Sequence, residues 1–160
     1  MVPGAVGVVV PVAGPDADLT NHMVVMVGRG ATMTEKTYKK LARTAEQLIA
    51  QGKGAIVDAS FVRRAQREKF RLLASKHKIP LLLIHCAAGE PTTRQRLAQR
   101  QAQGQDVSDG RWETFLRQKD AFEPFDEIDP SAKLELNTDE PLARLGDQCE
   151  SFLRARLAQG

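Results

Sequence analysis

Residues 23–38, MVVMVGRGATMTEKTY, hold the choice on which the fold turns. An apolar run closes in Gly28-Arg29-Gly30, and Lys36-Thr37 follow. A loop that cradles phosphate between a strand and a helix has the form G-x-x-x-x-G-K-[ST]. Its glycines let backbone N–H groups wrap the anion, while the lysine and the hydroxyl complete the shell. Gly30 to Thr37 fits that form except at Glu35, which stands where the second glycine belongs. A glutamate there adds bulk and a charge that repels phosphate. The same residues also contain Thr32-x-x-Glu35, the S/T-x-x-E form of a capping box, just ahead of a helical apolar face opening at Tyr38. On that alternative Glu35 reaches back to the N-cap N–H and Gly28 and Gly30 serve a turn. Lys36 and Thr37 are then ordinary first-turn residues.

Outward from this stretch the pattern alternates. Ala5–Ala13 and Met23–Gly28 are short, valine-rich runs that suit strands, separated by a Gly/Pro/Asp loop at 14–18. A helix is expected over about Thr34–Gln51, with Tyr38, Leu41, Ala45, Leu48 and Ile49 on one face. Ala55–Ser60 reads as a buried strand ending in a carboxylate, residues 61–78 as a helix, and Ile79–Cys86 as the next strand. Glu90-Pro91 opens a very polar helix, and residues 109–121 form another, carrying Trp112, Phe115 and Leu116. Lys133–Thr138 is a further strand. A helix over about Pro141–Ala158 presents Leu142, Leu145, Cys149, Phe152, Leu153 and Leu157 on one face. Such alternation implies an α/β fold in three layers, a parallel sheet with helices on both faces. Residues 1–33 stand apart from a domain spanning 34–160, with a helical lid at about 90–121. In such sheets ligands sit beyond the carboxyl ends of the strands, here Asp58–Ser60, Cys86–Ala88 and Asn137–Thr138.

Composition narrows the class. At 160 residues, 42% apolar and 27% charged, the chain has the make-up of one soluble domain. Its longest apolar stretch is far short of the ~20 residues of a membrane span, and no basic leader precedes it. A cytoplasmic protein with no membrane partner is expected. Cys86 and Cys149 show neither paired spacing nor a zinc pattern, so reduced, buried thiols and no protein-held metal are expected. The net charge of +3 conceals an asymmetry: residues 34–120 hold 18 Lys/Arg against 9 Asp/Glu, and residues 121–160 hold 4 against 9. A basic middle suits a phosphorylated ligand or nucleic acid, although solvated helix faces would produce it too.

Two places could carry chemistry. Asp58 closes a buried strand, where a carboxylate can hold magnesium through water or a substrate hydroxyl. Asp58 and Ser60 could equally cap the next helix. Arg96 and Arg100 lie one turn apart on the polar helix, where guanidinium groups suit phosphate oxygens. Arg63, Arg64 and Arg67 read as a solvated basic face. His85 reads as a core or edge histidine, and Trp112 as core.

From Thr37 onward the chain carries TY-x2-L-x3-A-x2-LI-x2-G-x3-IVDASF, then R-x2-F, a strand, R-x-RL-x2-R and VSDGRWETFLRQKDAFEP. This pattern, from about residue 34 to 145, resembles the kinase-like P-loop ATPase domains known as AAA family ATPases or predicted kinases. These are relatives of polynucleotide kinase, gluconate kinase and zeta toxin, and many are fused behind an aminoglycoside-phosphotransferase-like domain. The resemblance implies transfer of the γ-phosphoryl of ATP, with magnesium, to a small-molecule or nucleic-acid hydroxyl. It implies that Asp58 lies near the phosphate and acceptor, that Arg96 and Arg100 contact transferring phosphates, and that Asn137 and Thr138 lie near the adenine.

One departure qualifies it. In that family the P-loop, its helix, a second strand and a D-x-x-R motif all precede the helix that begins TY-x2-L. Here that helix begins at Thr37, and residues 1–33 match none of those parts. The first expectation is therefore a degenerate or truncated kinase-like protein without a proper Walker A motif. The second is an active kinase in which Gly30, Lys36 and Thr37 serve an atypical P-loop. The third is a non-catalytic phosphate or nucleic-acid binder. A sheet without its central strand would expose an edge, so the gap is expected to be filled by Ala5–Ala13 or Met23–Gly28, by a homodimer, or by a partner chain.

Overall fold

The computed structural model describes residues 2–10, 23–27, 34–102 and 112–157. Five strands, β1 (Val2–Val10), β2 (Met23–Val27), β3 (Gly54–Ala59), β4 (Leu82–Ala88) and β5 (Lys133–Asn137), form one sheet in the order β2-β3-β1-β4-β5. Five α-helices accompany them among the described residues: α1 (Glu35–Ala50), α2 (Arg64–His77), α3 (Glu90–Ala102), α4 (Trp112–Asp120) and α5 (Leu142–Leu157). The expected alternation from residue 34 onward is found element by element.

The expected parallel pairing holds for β2 with β3 and for β4 with β5. The central strand differs. β1 lies between β3 and β4 and runs antiparallel to both. Val10 stands opposite Ala55 and Met23 opposite Gly54, so β1 finishes at the end of the sheet where β2 begins. Leaving from that end, the chain reaches β2 without the long crossover that a parallel β1 would need. Pro3, which cannot donate to a ladder, lies where the register with β4 shifts, between Pro3 and Val6. The central gap is thus filled from within the chain, by the first of the two valine-rich runs.

Strand alternation gives the sheet two faces. Val57 and Ala59 of β3 and Leu83 of β4 point to one face. There they join Tyr38, Ala45 and Ile49 of α1, Phe70, Leu73 and Ala74 of α2, and Phe61, Phe125 and Ile128 in one buried cluster. Asp58, Gly7 and Ile84 are register partners, so they share the other face with Cys86 and Leu136. Helix α5 packs beside β5, burying Leu145. Leu142, expected on its apolar face, is 83% exposed because it is the first residue of the helix.

Helix α1 starts two residues later than a capping box at Thr32 requires. Thr34 is the N-cap, its Oγ1 accepting from the Thr37 N–H at 3.3 Å. Glu35 is the first helical residue and pairs with Lys69 of α2 at 2.6 Å, an arrangement that also keeps its carboxyl below the usual range. It does not serve as the capping glutamate, and Thr32 lies outside the described residues. Helix α2 begins at Arg64 rather than 61 because Phe61 adopts a left-handed backbone, φ 42°. That conformation is rare for a bulky residue and costs of order 1–3 kcal/mol.

Candidate functional site

The turn after β3 holds the first candidate residues, and it is fixed from three sides. The buried Tyr38 hydroxyl accepts from the Phe61 N–H at 3.0 Å and lies 3.2 Å from Ser60 Oγ. Arg67 donates from Nη1 to the Phe61 carbonyl at 2.9 Å. Glu123 donates its N–H to the Val62 carbonyl at 2.9 Å, and its carboxylate accepts from the Arg64 N–H at 2.6 Å. Together these bonds offset the cost of the left-handed Phe61. They also hold Asp58, three residues before Phe61, at the carboxyl end of β3. Asp58 is half-buried, and that burial pushes its carboxyl above the ordinary aspartate value. Such a group is poised between acid and carboxylate more than a surface aspartate would be.

Arg67 is not part of a solvated face. It is 1% exposed and forms an ion pair with Glu127 through Nε and Nη2. It also donates to the Pro124 carbonyl at 2.8 Å and stacks over the Phe125 ring, 4.8 Å from its centroid. Burial works to raise the Glu127 carboxyl, but the Arg67 bonds and charge outweigh it and hold the group below its usual value. The segment Glu123-Pro124-Phe125 is therefore the clamp that fastens the β3 turn.

The second group of candidates lies at the ends of β4 and β5. Arg96 donates to Thr138 Oγ1 at 3.0 Å and to the Thr138 carbonyl at 2.7 Å. Thr138 in turn donates its N–H to the Ala87 carbonyl at 2.7 Å. Asp139 accepts from the Gly89 N–H at 2.9 Å, at the start of α3, and Asn137 Oδ1 accepts from the Asp139 N–H at 3.1 Å. The fold thus brings Arg96, Asn137 and Thr138 together, and Arg96 is engaged by the protein itself. Arg100, one turn further along α3, is exposed. The lid is tied internally by Arg94 over the Trp112 ring at 5.2 Å and by Lys119 with Glu90 at 3.4 Å. Trp112 is a lid contact, half-buried against Phe115, rather than a member of the main core.

Of the atypical loop, Gly30 lies outside the described residues, while Lys36 and Thr37 stand in the first turn of α1. A phosphate cradle needs free N–H groups at the helix start. Here Thr34 already takes the Thr37 N–H, the Thr37 hydroxyl lies 3.1 Å from Thr34 Oγ1, and Glu35 brings a carboxylate to the same turn. Tyr38 of α1 joins the cluster on the face opposite Asp58. Sequence reasoning passed over Tyr38 as anything but core and missed Asp139. The only available signal was the polar tip on an inward-facing tyrosine, which needs a partner when buried.

A separate cleft of about 310 Å³ lies on the Tyr38 side of the sheet, lined by His85, Phe122, Phe125, Asp126, Lys133 and Glu135 among others. His85 is near-parallel to Phe122 and edge-on to Phe125, and burial lowers its pKa. It lies on the core side of the sheet, as a core or edge histidine should, but its buried Nε2 has no hydrogen-bond partner.

Among the described residues no helix is long and apolar enough to cross a membrane. No curated protein and no solved structure matches the chain. A protein-family model described as an AAA domain matches residues 17–125, more than half of the sequence.

Proposed function

This chain belongs to the AAA domain family, a P-loop kinase-like family that generally binds nucleotide with magnesium, and from that premise we propose that it keeps the acceptor and lid side of a phosphotransfer site without a working phosphate cradle. The observation that carries this reading is the start of α1, where Thr34 takes the Thr37 N–H and Glu35 sets a carboxylate in the first turn. The direction of β1 supports it. An antiparallel β1 brings its own beginning to the carboxyl ends of β3 and β4, so β1 does not lead into a helix at that end. On this reading Asp58 would hold an acceptor hydroxyl or a magnesium-bound water, Arg96 and Arg100 would face phosphates, and Asn137 and Thr138 would flank a base. ATP turnover by the chain alone is then absent.

A second reading rests on the link from β2 to α1. β2 is parallel to β3, and Val27 stands opposite Asp58, so residues 28–34 do join a strand to a helix at the ligand end. That is where an atypical P-loop using Gly30, Lys36 and Thr37 would sit. Calorimetric titration with ATP and magnesium, run beside a phosphate-release assay, separates the two. Neither saturable heat nor turnover is expected. Micromolar binding that Lys36→Ala abolishes would replace the first reading with the second.

A further inference from the structure

The acidic residues of α1 are both spent on its neighbour. Glu35 pairs with Lys69 at 2.6 Å, and Glu46 pairs with Lys76 at 2.6 Å, both on α2. Between these two contacts α1 carries Lys36, Lys39, Lys40 and Arg43, all exposed. Their spacing of three, four and seven residues from Lys36 places them on one side of the helix over ~10 Å. Lys36, Lys40 and Arg43 have no ion-pair partner among the described residues, and Lys39 interacts through its charge with Glu35, which is itself held by Lys69. Some exposed cations are compensated, Arg71 by Glu68, Arg154 by Glu150 and Arg144 by Glu140, whereas Lys53, Arg63, Arg64, Lys78 and Arg100 are exposed with no ion pair among the described residues. The stripe is set apart by its alignment, four exposed cations on one side of one helix.

We propose that this side of α1 is a docking surface for the sugar-phosphate backbone of nucleic acid, independent of any phosphotransfer at the sheet edge. Four cations at helical spacing match a chain of regularly spaced phosphates, and each contact would release condensed counterions. The face holds no aromatic side chain on which a base could stack, so contact is to backbone and independent of sequence. It also lacks an exposed large apolar side chain; those found among the described residues are Leu72, Leu116 and Leu142, none of them on α1. A membrane-surface helix needs such residues to insert, which favours nucleic acid over lipid.

The test is fluorescence anisotropy with a labelled single-stranded 20-mer deoxyoligonucleotide of mixed sequence, in 50 to 200 mM salt. Four phosphate contacts give a slope of log K against log salt of about −2.8, a loss of roughly 50-fold over that range. The triple variant Lys36→Gln/Lys40→Gln/Arg43→Gln leaves one contact, and the loss shrinks to about threefold. All three positions face solvent, so circular dichroism should be unchanged, and Lys40→Gln alone gives an intermediate slope. A control triple, Arg71→Gln/Lys76→Gln/Arg154→Gln, removes the same net charge from compensated positions and leaves the slope near its original value. The inference is overturned by absence of binding at 50 mM salt, by an equal loss in the control triple, or by capture on phosphatidylserine vesicles without capture of the oligonucleotide.

Discussion

Replacing Arg67 with methionine should be among the most damaging single changes in the chain. The side chain is about as long and still fills its space, so the lost quantity is polar. Glu127 is left as a buried carboxylate with only 2% of its side chain exposed, and the carbonyls of Phe61 and Pro124 lose their donor. Removing one partner of a buried ion pair costs about 3–5 kcal/mol. A domain of this size holds only about 5–15 kcal/mol in total, and each kcal/mol moves its melting point by about 2–4 °C, so a fall of roughly 6–20 °C is expected. Urea unfolding followed by far-ultraviolet circular dichroism measures it. Arg71→Met is the comparison, because its pair with Glu68 is partly exposed and is worth about 1 kcal/mol or less. Arg67→Met/Glu127→Leu should recover much of the loss, since no unpaired charge remains. There is also a pH signature. The Glu127 carboxyl lies below its unfolded value of 4.5, so the folded chain takes up that proton less readily than the unfolded one. Its contribution is complete above pH 4.5 and is lost as pH falls through the lower, folded value. Arg67→Met costing no more than Arg71→Met would refute this account of the clamp.

Three further outcomes follow from the same contacts. Tyr38→Phe removes the acceptor of the buried Phe61 N–H and should cost about 1–3 kcal/mol in chemical denaturation, with Ser60→Ala nearly neutral. Burial keeps the His85 ring neutral below its unfolded value of 6.5, so the unfolded chain takes the proton first; stability should be level above pH 6.5 and decline below it, and His85→Phe, which can stack with Phe122 in the same place, should remove that part of the decline. Arg96→Ala should release α3 from Thr138, raising hydrogen exchange in α3 and at the Thr138 amide with under about 1 kcal/mol lost in global unfolding, because the residue is exposed and its bonds reach only the lid.

The helices were legible because their apolar residues repeat at 3.6: Tyr38, Ala45 and Ile49 are buried as the spacing requires. Strands β3 and β4 were legible as short apolar runs between those helices, and β5 as an alternating KLELN stretch. The direction of β1 was not, since a valine-rich strand reads the same whichever way it runs, and only the place where its end must meet β2 decides it. Arg67 was misjudged for a similar reason. Its neighbours in sequence are basic and polar, whereas the partner that buries it, Glu127, lies 60 residues away. The candidate site was legible one residue at a time. Asp58 was marked by closing a strand, and Arg96 by its place on a polar helix. That Arg96 meets Thr138, or that Tyr38 holds the turn beside Asp58, depends on tertiary contacts that no local pattern encodes.

The central claim is that the first turn of α1 is closed to phosphate. Its most direct test is to follow backbone amide resonances of Glu35, Lys36, Thr37 and Tyr38 by nuclear magnetic resonance while ATP and magnesium are added. These four signals should stay in place, with the Thr37 amide still held by Thr34. Saturable shifts at all four, lost in Lys36→Ala, would show a phosphate seated on that turn and would contradict the account.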